Sequence, residues 1–249
     1  MEIENSLADR ELILQHSQQW HNSRKGKLTS SQAYLFMGAK GWLNGTSERY
    51  LNKKLMELVT GESTPEIKAY QLMHGTSWEP FVKQMIANKY QAEYFEAEFI
   101  QHPELPYFGG SSDGLITIDG IRTTPEIKAP VWEEAMINRK LLVSVEVCKV
   151  KWPEIYYQCL GNMVLQGNSQ ALAASFHAGL PEPYALTELI IPFVEADSIL
   201  MLKNLACAFE WLKSECEDYG IDILERYKEF ATIPPEATEP DPAQFSRGE

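Results

Sequence analysis

The apolar positions of this chain change their period partway along it. Over the first ninety residues they recur at helical spacing, in "DRELILQHSQQW", in "TSSQAYLFMG" and in "TSERYLNKKLMELVTG", where Leu51, Leu55 and Leu58 share a face and Gly61 supplies a stop. Beyond them the period shortens to two. "EYFEAEFIQ" and "PYFGGSSDG" predict strands, and "LITIDGIRT" predicts a hairpin in which Asp119 and Gly120 provide the left-handed residues of a two-residue turn. "WPEIYYQCLGNMVLQG" predicts a helix with proline in its first turn; strand-like "ALAASFHAG" and "YALTELIIPFV" follow, then a long helix over about residues 197–219. The ending "ATIPPEATEPDPAQFSRGE" is too rich in proline and acid to pack, so a mobile acidic tail is expected over residues 221–249, after a single domain spanning 1–220. The predicted fold class is α/β, a central mixed sheet flanked by helices, with extra helices at the N-terminal side.

Composition narrows the class. A chain of 249 residues that is 44% hydrophobic can bury a sizeable core. No apolar run approaches the roughly 20 residues that span a bilayer, and "MEIENSLADREL" has neither the basic nor the apolar region of a secretory signal. A soluble, cytoplasmic protein with no membrane partner is expected. Cys148, Cys159, Cys207 and Cys216 show no metal-ligand spacing and are expected to be reduced, mostly buried thiols; the five histidines show none either. The net charge of -13 argues against a polyanionic partner. Its distribution weakens that argument, because ten acids and three bases lie from Glu215 onward. Basic clusters remain at Arg24, Lys25 and Lys27, at Lys53 and Lys54, at Arg139 and Lys140, and at Lys149 and Lys151, each of which by itself reads as solvated surface.

One hexapeptide, TPEIKA, occurs twice, at 64–69 and at 124–129. In the first copy Thr64 suits an N-cap, Pro65 the first helical position and Glu66 the positive end of the helix dipole, so that copy is expected to open a helix. The second follows the hairpin, and "GGSSDGL" lies shortly before it, which places Asp113 near the start of the partner strand. Side chains alternate along a strand, so Glu126 and Lys128 share a face. Two carboxylates on neighbouring strands repel unless a divalent cation lies between them; all-oxygen ligands of this kind suit magnesium, and a neighbouring lysine can orient or help deprotonate a metal-bound water. A surface hairpin with an ordinary Glu126–Lys128 ion pair has the same three residues. Pro125, inside the strand, suggests a bulge or a strand start there.

Four blocks in order, "WHNSRKGKLTSS" at 20–31, "HGTSWEP" at 74–80, "SSDGL" with "EIKAP" at 111–130, and "YYQCLGNM" at 156–163, resemble the PD-(D/E)xK nuclease superfamily and, more closely, its phage lambda exonuclease type, the YqaJ-like viral recombinases. The resemblance covers about residues 15–215 and implies a restriction-endonuclease-like nuclease core. It makes Asp113 and Glu126 metal ligands, Ile127 a ligand through its carbonyl and Lys128 the water-activating base. Glu79 would complete the metal site, although "TSWE" is also a capping box. Gln158 would help arrange the active site, and Arg24 with Ser31 would hold the 5′-phosphate of the digested strand. Ser112 stands where the family usually has proline and Ala129 where it usually has cysteine, and the loop from Asp113 to Glu126 is somewhat long.

The resemblance further implies a magnesium-dependent exonuclease, with manganese as a possible substitute, that degrades the 5′-ended strand of double-stranded DNA and leaves a 3′ overhang for recombination. It implies a ring-shaped homotrimer, a single-strand annealing protein as partner, and a phage or prophage origin in a bacterial host. An endonuclease of the same superfamily and a non-catalytic DNA-binding or recombination scaffold stay open as alternatives.

Overall fold

Asp119 and Gly120, at φ of 51° and 78°, close the hairpin around which the sheet is built. In the computed structural model, residues 18–39, 41–64, 70–131 and 133–232 are described. The chain enters through α1 (Gln18–Arg24), β1 (Leu28–Thr29), a 3-10 turn (Ser30–Phe36), α2 (Gly45–Thr60) and α3 (Tyr70–Tyr90). Short strands β2 (Tyr94–Phe95), β3 (Ile100–Gln101) and β4 (Phe108–Gly110) lead to the hairpin of β5 (Leu115–Ile118) and β6 (Ile121–Lys128). Then come α4 (Glu133–Leu141), α5 (Val145–Lys151), α6 (Pro153–Gln166), β7 (Gln170–Phe176), β8 (Leu186–Pro192), α7 (Glu195–Asp218) and α8 (Ile223–Thr232). The main sheet has the order β2-β5-β6-β7-β8, and β1-β4-β3 form a smaller one. Only β6 and β7 pair in parallel within the main sheet. A parallel pair needs a long crossover, and α4, α5 and α6 supply it.

The main sheet is covered on both faces, which is why β7 reads as an almost continuous apolar run. On one face Leu172, Ala174 and Phe176 join Ile116, Ile118 and Ile127 against Val82 and Ile86 of α3. On the other, Ala171 and Ala173 pack with Ile155, Tyr156, Leu160 and Met163 of α6, and with Met201, Leu205 and Leu212 of α7. Because Ile127 faces α3, its neighbours Glu126 and Lys128 face α6. Among the described residues no helix is long and apolar enough to cross a membrane, and all four cysteines are free thiols, three of them buried.

Several expectations are corrected. The segment expected to form a helix over "TSSQAYLFMG" is a 3-10 turn. The helices α4 and α5 were not foreseen, and α5 is anchored by Ser144, whose hydroxyl caps the Val147 N–H at 3.3 Å. The expected boundary at residue 220 falls inside packed structure: α8 buries Ile223, Tyr227 and Phe230 at helical spacing, so the packed chain runs through Thr232. Residues 233–249 lie outside the described residues. So do Pro65 to Ala69 of the first TPEIKA copy, while Thr64 gives its N–H and its hydroxyl to Glu57 Oε1, at 3.3 and 2.8 Å.

The basic turn after α1 is likewise no solvated surface. Lys25 and Lys27 are buried. Gly26 sits at φ of 66°, and an added Cβ would lie 2.5 Å from Leu58 Cδ2, so the close approach and the backbone angle both require glycine. Its N–H donates to Glu57 Oε2 at 2.9 Å, and Tyr227 of α8 donates its hydroxyl to the Gly26 carbonyl at 3.0 Å. Glu57 also pairs with Lys54 at 2.9 Å, and although burial pushes its pKa up, that ion pair and these hydrogen bonds hold it below the usual range.

Because Phe230 is 2% exposed, Phe230→Ala is expected to destabilise the protein by about 3–5 kcal/mol. Equilibrium urea unfolding measures this; a change near zero would mean that α8 does not pack in solution.

Candidate active site

The site is built where β5 stops short of its neighbour. The last register pair of the hairpin toward its open end is Ile116 with Thr123, and β6 continues past it to Lys128. The edge of β6 left unpaired is met by the turn before β5. The Asp113 N–H donates to the Pro125 carbonyl at 3.3 Å, and Ile127 N–H donates to Asp113 Oδ2 at 2.6 Å. The N and C=O of one strand residue face the same edge. The N–H that Pro125 lacks would therefore point to this open edge and not to β7, so the strand runs through without the expected bulge or restart. By the same geometry the Ile127 carbonyl faces the Asp113 side.

The turn that carries Asp113 is held from three directions. Gly114 has φ of 153°, with the Tyr94 ring 2.2 Å from the position of an added Cβ, so nothing larger fits. Tyr94 donates its hydroxyl to the Asp113 carbonyl at 3.3 Å. Ser112 donates to the Gly114 carbonyl at 2.7 Å and accepts from Gln166 Nε2 at 2.7 Å. Serine thus fixes by hydrogen bonding a turn in which proline would act through ring rigidity.

Glu126 is 2% exposed, whereas Asp113 and Lys128 are half-buried, so the cluster opens to solvent on their side. Lys128 Nζ lies 2.9 Å from Glu126 Oε1 and 3.3 Å from Gln158 Oε1. Asn162 Nδ2 donates to Glu126 Oε2 at 3.3 Å. Burial, then the charges of Glu126 and Glu79, push the Asp113 pKa well above the usual carboxylate range. Burial also raises that of Glu126, against the pull of Lys128. Lys128 would be lowered by burial, but Glu126 and Asp113 together raise it, so its amine is held as an ammonium. In this state it donates hydrogen bonds and orients; it does not accept a proton.

Glu79 does not cap a helix. It lies in the interior of α3, ahead of Pro80, and its carboxylate pairs with Lys83 at 2.8 Å. It stands close enough to raise the pKa of both Asp113 and Glu126, yet it is turned along its own helix. Among the described residues no three His, Cys, Asp or Glu side chains stand together as a group that could hold an ion. What the site offers is a carboxylate pair beside a main-chain carbonyl, all hard oxygen. That suits magnesium, which usually keeps several waters and takes one or two protein carboxylates.

The two residues expected to hold a phosphate, Arg24 at the end of α1 and Ser31 after β1, lie on the segment that reaches the approach to Asp113 through Trp20 and β1. Arg24 lies with its guanidinium carbon 3.9 Å from the Trp20 ring centroid, and Trp20 Nε1 donates to Ser111 Oγ at 3.3 Å, two residues before Asp113. Ser31 follows β1, whose Thr29 pairs with Gly109 of β4, and its hydroxyl is 3.2 Å from that of Thr29. Lys27 also lies on this segment, but burial and then the charge of Lys54 push its pKa down to about 8, which leaves Arg24 as the firmer cation.

Sequence reasoning assigned no role to Asn162, Gln166 or Tyr94. Asn162 lies within one of the quoted blocks, and its four-residue spacing from both Gln158 and Gln166 was the available signal.

Comparison with known proteins places these features in company. The model of the YqaJ-like viral recombinase domain matches residues 19–169. No curated protein sequence matches significantly. Among solved structures, an alkaline exonuclease from Laribacter hongkongensis superposes with a TM-score of 0.67 at 22% identity, covering 84% of this chain and 97% of that one. A form of it in complex with dAMP also gives 0.67, at 23% identity, covering 80% and 94%. A phage-related exonuclease from Haemophilus somnus 129PT gives 0.63 at 12% identity, covering 78% and 96%. At these identities the structures speak for a shared fold.

The electrostatics yield a test that needs no substrate. A carboxyl whose folded pKa lies above its unfolded value loses stability as pH rises through the folded value. Asp113→Asn keeps an acceptor for the Ile127 N–H and removes the charge. Without added metal, the variant is expected to melt above wild type at neutral pH, by about 2–4 °C for each kcal/mol of relieved repulsion. The two should converge below about pH 4, where the carboxyl is protonated in both states. Calorimetric melting at pH 3.5 and 7.5 checks both the sign and the convergence.

Proposed function

The chain belongs to the YqaJ-like viral recombinase domain family, with a mixed α/β core of the PD-(D/E)xK nuclease type, and from that premise we propose that it is a magnesium-dependent exonuclease degrading the 5′-ended strand of duplex DNA. The observation that carries this reading is the cluster of Asp113, Glu126 and Lys128 at the open edge of β6. Burial, then the charges of Glu126 and Glu79, raise the Asp113 pKa there, and burial raises that of Glu126 against the pull of Lys128, beside a lysine held charged, an arrangement that a divalent cation relieves and an apolar core would avoid.

In this reading Asp113, Glu126 and the Ile127 carbonyl would hold the ion, and Glu79, paired here with Lys83, would join them on turning away from it. Bound there, magnesium, or manganese in its place, supplies an activated water and neutralises charge on the scissile phosphate. Lys128 would orient that water by donating a hydrogen bond from its seat between Glu126 and Gln158, and would take up its proton only after first releasing its own ammonium proton to solvent, a release favoured once a cation offsets the charge of the neighbouring carboxylates. Gln158 keeps the amine from swinging away. Arg24, stacked on Trp20, grips a terminal 5′-phosphate with help from Ser31 and sets the next phosphodiester over the ion; such positioning is a large share of catalysis.

The 3′ overhang, the single-strand annealing partner and a homotrimeric ring belong to the same proposal. A ring would account for how a net charge of -13 coexists with DNA binding, because it needs positive potential only along its channel.

Two experiments test the reading. Lys128→Ala is expected to lower turnover at least about a thousandfold with DNA binding retained, as loss of a group acting in the chemical step does; near-normal turnover refutes the assignment. Wild type is expected to degrade a linear duplex with a 5′-phosphate much faster than one with a 5′-hydroxyl, and Arg24→Ala to erase most of that preference, with Arg24→Lys restoring only part. Equal rates for the two ends in wild type, or cutting of closed circular DNA, favour an endonuclease instead.

A further inference from the structure

Gln158, Asn162 and Gln166 recur every four residues along α6, and Lys128, Glu126 and Thr124 recur every two along β6. They meet one to one. Lys128 Nζ donates to Gln158 Oε1 at 3.3 Å, Asn162 Nδ2 donates to Glu126 Oε2 at 3.3 Å, and the Thr124 hydroxyl donates to Gln166 Oε1 at 2.9 Å. The registry has a simple cause: four residues of helix rise about 6.0 Å and two of strand about 6.6 Å. Helix and strand run in opposite senses, so successive amides stay opposite successive strand side chains over three rungs.

Resting on the proposed nuclease reading, we propose that Asn162 and Gln166 are positioning residues: Asn162 fixes the Glu126 carboxylate for the ion, and Gln166 fixes the turn that presents Asp113. For Asn162, the decisive observation is its other end. Its Oδ1 is buried without a hydrogen-bond partner, and the residue is 1% exposed. An amide kept for packing has both ends satisfied; among the described residues this one spends its side-chain bond on a carboxylate whose aim the chemistry needs. Gln166 works through a chain. Its Nε2 donates to Ser112 Oγ, which donates to the Gly114 carbonyl, so Asp113 lies between two residues tied to α6. Asn168 backs this rung, donating to Thr124 Oγ1 at 2.7 Å and to Gln166 Oε1 at 3.0 Å. One rigid helix thereby sets Lys128, Glu126 and the Asp113 turn against each other.

The test uses the full chain and three readouts: magnesium affinity by titration calorimetry, kcat and KM on a 5′-phosphorylated duplex, and melting temperature. Asn162→Leu conserves volume and removes the donor. It is expected to weaken magnesium binding about 10–100-fold and to lower kcat comparably, with KM for DNA unchanged and part of the loss restored by excess magnesium. Half-buried Gln166→Leu is expected to act in the same direction, and alone decides the question if Asn162→Leu does not fold. Ser112→Ala in the Gln166→Leu background should add little, because both break one chain. Unchanged magnesium affinity and kcat with only a lower melting temperature would overturn the proposal and leave the amides as packing residues. If wild type itself binds no magnesium and cleaves nothing, the nuclease reading falls and this inference with it; if wild type and Lys128→Ala behave as expected while the amide variants are silent, this inference alone falls.

Discussion

Asp113, in the turn before β5, and Glu126, in β6, are neighbouring acids; the charge of Glu126 adds to burial in raising the Asp113 pKa, and the surrounding structure is arranged to keep them there. Breaking their compensation leaves an uncompensated charge, and an apolar replacement of similar volume would be more stable. The protein holds them with backbone and amide donors on one side and Lys128 on the other, inside a sheet buried on both faces. Large apolar layers against α3 and against α6 and α7 provide the stability that this arrangement subtracts.

The geometry of the site follows from an interrupted ladder. Had β5 run the full length of β6, the edge at Pro125 and Ile127 would be occupied by strand hydrogen bonds. Because it stops at the level of Thr123, the Pro125 carbonyl and the Ile127 N–H are left to clasp one aspartate. Pro125 is tolerated in a central strand for the same reason, since its missing donor points where no strand partner waits. The parallel neighbour β7 is undisturbed and keeps six consecutive register pairs from Thr123 to Lys128.

Much of this could be read from the sequence where a local rule decides. The Asp119-Gly120 turn, α2 ending at Gly61 and α6 running from Pro153 to Gly167 all carry their own start or stop chemistry. The period of two placed Glu126 and Lys128 on one face before any neighbour was known. What escaped depends on distant partners. The α5 segment "VEVCKVK" is β-branched and is helical because of its cap and its packing on α6. Three apolar residues of α8 sit among charged residues of both signs beside a proline-rich stretch and show their stripe only against the N-terminal turn. Locally "TSWE" is a sound capping box, overridden because α3 begins earlier. A buried amide such as Asn162 shows only its four-residue spacing from Gln158 and Gln166, which gains a meaning once the strand opposite it is identified.

The hydroxyl of Tyr227 on the Gly26 carbonyl joins two segments 201 residues apart. The turn that follows Arg24 is thus finished by the last described helix, and a ribosome making the protein must deliver the chain as far as Tyr227 before that turn can close. While β5 and β6 are already outside the exit tunnel and able to pair, the turn after α1 still lacks its brace. Chain order therefore makes this turn wait, for its last hydrogen bond, on a residue 201 positions further along.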